Sequence, residues 1–204
     1  MTSRMSMRGD TMPRAAVFLD KDGTLLADVP YNIDPLLMRL APGAHEALRI
    51  FAALDVPLYV ISNQSGVALG KFANDALTAV DKRLRELVHD CGATLSGIYW
   101  CTHHPDGTVA PYNRPCDCRK PAPGMLLHAA REHAISLVES WFIGDILDDV
   151  EAGHRAGCRT VLIDNGNETV WRRGPFREPD HVVTNLHQAA LATQQSTFRR
   201  ELTS

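Results

Sequence analysis

Asp20 and Asp22 stand one residue apart where the apolar run AAVFL, residues 15–19, ends in DKDGT. An apolar strand has no use for two acids at its tip, and their repulsion makes it costly to keep both charged unless a cation sits between them. An EF-hand calcium loop also begins D-x-D-G. Counted from Asp20, however, its twelfth position is Tyr31 where a bidentate Glu is needed, and the flanks read as strand. A second group of ligand-type residues lies in CTHHPDGTVAPYNRPCDCRK. Cys101 and His103 bracket one residue, as do Cys116 and Cys118. Three thiolates and one imidazole fill a tetrahedron with no position left for water, so this spacing points to a structural zinc that staples a proline-rich loop. His104 competes with His103 for the fourth place, and the alternative is a loop with three free cysteines.

Short β-rich runs alternate with segments of helical period along the chain. AAVFLD precedes AHEALRIFAAL; PLYVIS precedes NDALTAVDKRLRELVHDC; GIYWC is followed, after a loop, by PGMLLHAAREHA; WFIGD precedes LDDVEAGHRAG; then come RTVLID and HVVT with NLHQAALA. In the second helix Leu77, Val80, Leu84, Leu87, Val88 and Cys91 recur at spacings of three and four, one face to pack on a sheet. Strand then helix, with strands apolar throughout, is the pattern of a parallel sheet covered on both faces. Residues 25–43 and 101–122 break the rhythm as long irregular loops, which in a compact domain usually carry function.

In such sheets ligands bind beyond the carboxyl ends of the strands. Four places are then informative: Asp20 to Thr24; Ser62, Asn63, Gln64 and Ser65; Gly144 and Asp145 with Asp148 and Asp149; and Lys120, just before a helix that Pro121 and Pro123 introduce. Singly, each has an ordinary reading: a turn at Ser62, a charged helix start at Asp148, a surface lysine at 120. Their order and their shared position at strand ends argue for one site.

The 204 residues hold one domain with a proper core, and a net charge of −3 without a basic block excludes a strong nucleic-acid footprint. No run approaches the roughly 18 apolar residues of a membrane span, and no secretory signal is visible, so a cytoplasmic protein is expected. Residues 1–13 show no period and read as a disordered leader, with Met12 a second candidate start; 14–194 form the domain and 195–204 a flexible tail.

Together these motifs resemble the haloacid dehalogenase superfamily of aspartate-nucleophile phosphatases, whose pattern is DxDx(T/V), a strand-end Ser or Thr, a Lys, and GDxxxD. The resemblance spans roughly 14–165 and implies a Rossmann-like α/β fold. Asp20 is then the nucleophile and Asp22 the general acid and base. Magnesium is shared by Asp20, the Asp22 carbonyl and Asp145, and Ser62, the Asn63 backbone N–H and Lys120 hold the phosphoryl oxygens. Asp149 either reaches the metal through water or orients Lys120. The loop CxHH-P-x-G…CxC-RKP-x-PGM narrows the resemblance to the branch acting on heptose bisphosphate and histidinol phosphate, where a zinc loop replaces a large cap domain. DVPYN, SNQSG and CRKP favour the heptose side of that branch, a magnesium- and zinc-containing monomer acting on a small sugar phosphate. Asp28 to Tyr31, Ser62 to Ser65, Arg119 and Lys120 would line its substrate, with Arg119 suited to a second phosphate. Three positions depart from the branch: Leu26, Leu69 and Ile146 stand where it has Asn, Arg and Lys. None is a proposed catalytic group. A catalytically silent zinc module is the reading from another class, and the intact acids and lysine speak against it.

Overall fold

A computed structural model describes residues 13–201, and side chains to 196. All but the last residue of the expected leader therefore lies outside the described part. Six strands, β1 (Val17–Leu19), β2 (Leu58–Asn63), β3 (Leu95–Cys101), β4 (Trp141–Gly144), β5 (Arg159–Ile163) and β6 (His181–Val183), pair in parallel in the order β3-β2-β1-β4-β5-β6. Five α-helices connect or follow them: α1 (Ala44–Ala53), α2 (Leu77–Asp90), α3 (Gly124–His133), α4 (Leu147–Ala156) and α5 (Leu186–Glu201).

The strands read as apolar throughout because successive residues feed two cores. Val17, Leu19, Val60, Ile143 and Val161 face one core with α1, α2 and α5, while Phe18, Tyr59, Ile61 and Phe142 face the other with α3 and α4. In α2 the periodic residues Leu77, Val80, Leu84 and Val88 are buried, with Cys91 just beyond, and Leu87 is half-buried. Each such side chain contributes about 1.5–3 kcal/mol by leaving water.

The strand order turns back at β1, whose neighbours are β2 and β4. At such a switch point the connections diverge to opposite sides and leave a crevice above the strand tips. The register places it: Leu19 pairs with Val60 and with Ile143, so the residues next in line are Asp20, Ile61 and Gly144.

The two long loops are pinned rather than capped by a further domain. In 25–43 the Leu25 and Leu26 N–H groups donate to the Lys21 carbonyl (3.1 and 2.8 Å), and the Ala41 N–H donates to Leu25 (3.0 Å). In 101–122 the Thr108 and Val109 N–H groups donate to the Ala68 carbonyl (2.8 and 3.0 Å), which ties this loop to the turn after β2. Among the described residues, no α-helix or strand lies between Ala27 and Gly43 or between Thr102 and Pro123. The tail expected from 195 lies partly outside the described residues. α5 runs on to Glu201, because Ala, Gln and Arg follow with no Gly or Pro to stop a helix.

Candidate active site

The Asp20 N–H donates to the Ile143 carbonyl at 2.9 Å, so this carboxylate leaves β1 in step with β4, which ends one residue before Asp145. Lys120 enters from the loop before α3. Its Nζ donates to Asp20 Oδ1 at 2.5 Å and to the Ile61 carbonyl at 3.2 Å, and it pairs with Asp149 Oδ1 at 2.6 Å. Lys120 is 3% exposed and Asp149 1%, and an ammonium so buried stays charged only among such partners. Asn63 fixes the backbone that carries it: the Lys120 N–H donates to Asn63 Oδ1 (3.0 Å) while Asn63 Nδ2 donates to the Lys120 carbonyl (3.1 Å). The residue expected to act through its backbone thus holds the Lys120 backbone through its carboxamide.

Two glycines let these acids approach. Gly23 has φ +81°, and a Cβ there would lie 2.0 Å from Asp145 Oδ2; at Gly144 a Cβ would lie 2.3 Å from Asp149. Asp22 receives Lys21 Nζ at 2.6 Å on one oxygen and Gln64 Nε2 at 3.3 Å on the other, and Gln64 Nε2 also donates to Ser62 Oγ at 2.9 Å. Gln64, expected beside the substrate, therefore links the acid–base candidate to the strand-end serine.

Crowding raises the acids. Burial, then the Asp20 and Asp149 carboxylates, push Asp145 up to about 8. Burial lifts Asp149 to about 6 although Lys120 opposes it, and burial also raises Asp22. Asp20, Asp145 and Asp149 each offer an oxygen within 4.8 Å of the others. An all-oxygen, over-acidic set of this kind fits a hard divalent cation such as Mg²⁺. Asp149 already pairs with Lys120, which fits the reading in which it orients that lysine.

The second cluster forms in the 101–122 loop. Cys118 Sγ lies 3.2 Å from both Cys101 Sγ and Cys116 Sγ, which are 3.6 Å apart, and His103 Nδ1 lies 3.4 Å from Cys118 Sγ. All four donors lie within 4.8 Å of one another, close enough to share one ion as in a Cys₃His zinc site. Burial lowers His103, favouring the neutral imidazole that ligates, and burial with the neighbouring thiols raises Cys118. His104 turns to a different task, its Nδ1 accepting the Asp106 N–H at 3.1 Å.

Comparison with known proteins agrees with this geometry. Residues 117–189 match the family model described as HAD-hyrolase-like. A D-glycero-beta-D-manno-heptose-1,7-bisphosphate 7-phosphatase of Yersinia pestis is 38% identical over 152 residues, covering 74% of this chain and 81% of the relative. The enzyme of the same name from Photorhabdus laumondii is 40% identical over the same shares. The crystal structure of a D,D-heptose 1,7-bisphosphate phosphatase from B. bronchiseptica, complexed with magnesium and phosphate, superposes with a TM-score of 0.77 at 29% identity. It covers 89% of this chain and 99% of that one. The chain belongs to the haloacid dehalogenase superfamily of phosphatases.

In this phosphatase the substrate-lining candidates divide. Ser62 is buried at the tip of β2, and Arg119 Nη1 donates to Ser65 Oγ at 3.1 Å. Tyr31 is 52% exposed in the first long loop. Asp28 is exposed in the same loop, and none of the described hydrogen bonds joins it to the cluster. The departures have local reasons. Leu26 is buried in the main core, Leu69 is half-buried in the turn after β2, and Ile146 sits half-buried at the start of α4. The structure also brings in residues that the motifs did not name. Asn167 Nδ2 donates to Asp145 Oδ2 (2.7 Å), Asn165 Nδ2 to the Gly23 carbonyl (2.8 Å), and Glu168 accepts the Leu147 N–H (2.9 Å). All three follow β5, so the strand-end rule that pointed to Asp20 and Asp145 applies to them as well.

Proposed function

We propose that this phosphatase hydrolyses D-glycero-D-manno-heptose 1,7-bisphosphate to the 1-phosphate through an aspartyl-phosphate on Asp20. The observation that carries the chemistry is the meeting of Asp20, Lys120, Asp149 and Asp145 in one buried cluster at the β1/β4 crevice. The substrate is supported by the relatives named for it, which share 38–40% of aligned residues with this chain.

In the first step an Asp20 oxygen forms a bond to phosphorus while the ester P–O bond breaks, and the leaving alkoxide takes a proton from Asp22. In the second, Asp22 takes a proton from the water that attacks phosphorus, and Asp20 is released with inorganic phosphate. The raised carboxyl of Asp22 suits the first of these roles, and Lys21 and Gln64 hold it in place. Lys120 and the Ser62 hydroxyl are the donors for phosphoryl oxygens, whose charge rises in the transition state. Mg²⁺, which Asp20, Asp145 and the Asp22 carbonyl would hold, supplies the charge neutralisation that lets one anion approach another.

Phosphate release by the magnesium-loaded protein tests this against a panel of heptose 1,7-bisphosphate, histidinol phosphate and hexose and triose phosphates. The bisphosphate should be preferred by kcat/KM. Preference for histidinol phosphate, or slow turnover of every ester alike, overturns the substrate.

A structural zinc bound by Cys101, His103, Cys116 and Cys118 is the second part of the proposal, supported by the gathering of their four donors within 4.8 Å of one another. Cys116→Ser should release the zinc and destabilise the loop by about 3 kcal/mol, since losing a structural metal is among the larger single-site effects. In a chain of this size that lowers Tm by about 6–12 °C. Elemental analysis and a melting curve check it, and an unchanged Tm in a protein without zinc removes the staple.

A further inference from the structure

The turn that follows β2 carries two cations with no carboxylate partner among the described residues. Arg119 leans on it through the bond to Ser65, and Lys71 closes it, its N–H donating to the Gly66 carbonyl at 2.8 Å. The turn is held from three sides. A Cβ on Gly66 would lie 2.1 Å from the Phe72 ring, Ala68 takes the two N–H bonds from the 101–122 loop, and Lys71 Nζ lies 5.9 Å above the ring of Tyr31. That last distance is within cation–π range, so the ring orients the ammonium without neutralising it. Tyr31 is itself held in the left-handed region at φ +55°, a strained conformation for a tyrosine, which persists where surrounding structure imposes it.

Most other cations near the site are spoken for. Lys120 is shared by Asp20 and Asp149, Lys21 is paired with Asp22, and Arg177 with Asp148 and Glu151. At Leu69 and Ile146, on the turn after β2 and beside Asp145, the side chains are apolar. The unpaired positive charge next to the turn after β2 is therefore that of Arg119 and Lys71.

We propose that Lys71, positioned by Tyr31, binds with Arg119 the phosphate that is not hydrolysed, and so sets the preference for a bisphosphate. This rests on the bisphosphate reading above. It makes Lys71 a specificity residue supplied from the turn where Leu69 offers no charge.

The test compares heptose 1,7-bisphosphate with heptose 7-phosphate on the magnesium-loaded protein and on Lys71→Ala, Lys71→Arg and Tyr31→Ala. Lys71→Ala should lower kcat/KM for the bisphosphate tenfold or more, chiefly through KM, and change the 7-phosphate less than about twofold, because only the distal charge is lost. Lys71→Arg should restore most of the preference, and Tyr31→Ala should lose part of it. Equal losses on both substrates, or no loss on either, overturn the role of Lys71 while leaving the bisphosphate reading in place. If the unsubstituted enzyme turns over neither heptose phosphate but cleaves other esters, the substrate reading fails and this proposal falls with it.

Discussion

Asp20→Asn should abolish turnover, by about 10⁴-fold or more, and leave the fold in place. An amide has nearly the shape of the carboxylate but no anionic oxygen to bond to phosphorus, and no other group in the cluster is placed to take over that role. Asp22 is held between Lys21 and Gln64, and Asp149 is committed to Lys120. Stability should change little, because Lys120 keeps Asp149 and the Ile61 carbonyl as partners and one of three crowded carboxylates is gone. The check has two readings on the same preparation: phosphate release at saturating substrate, and intact mass of protein quenched in acid during turnover. Unsubstituted enzyme should carry one phosphate and the variant none. Activity above about one hundredth of the parent would mean that water, not Asp20, attacks phosphorus.

Much of this site was legible in the residues because one rule, reading the tips of parallel strands, reaches Asp20, Ser62 and Asp145 directly. The alternation of apolar strands with helical period located each of those tips, since a strand buried on both faces needs no polar residue until it ends. Lys120 and Asp149 were found as types in the right order, with orienting Lys120 one of two readings of Asp149. Burial at 3% and 1% and a 2.6 Å contact between residues 29 positions apart favour that reading over the water-bridged one. Lys21 was passed over because a lysine is almost always exposed, and this one is 2% exposed beside Asp22. DNGNET after β5 reads locally as an ordinary turn of Asn and Gly, and only the sheet order shows that it folds back on Asp145. Lys71 had no signal of its own, for its orientation comes from a ring 40 positions away.

Lys120→Met should damage both the catalyst and the fold. Methionine fills much the same volume, so packing survives, but Asp20 and Asp149 then face each other in a buried cluster with the ammonium gone. Breaking a buried ion pair from one side typically costs about 3–5 kcal/mol, equivalent here to a fall in Tm of about 6–20 °C. Turnover should drop by about 10²–10³-fold for the loss of one donor to the phosphoryl oxygens. The pH dependence has a definite sign. Asp149 already titrates near 6 with Lys120 beside it, and removing the cation that opposes burial raises it further. A carboxyl whose folded pKa lies above its unfolded value binds its proton more tightly when folded, so its stabilisation is present at low pH and is lost as pH rises through the folded value. The variant should therefore melt closest to the parent near pH 5 and fall away from it toward pH 8. Adding Asp149→Asn to it should return part of the stability and none of the activity, since it removes one of the two carboxylates left facing each other while Asp20 stays without its cation. A single variant as stable as the parent across that range would show that the carboxylates are solvated rather than buried. A double variant that regained turnover would remove Lys120 from the chemistry.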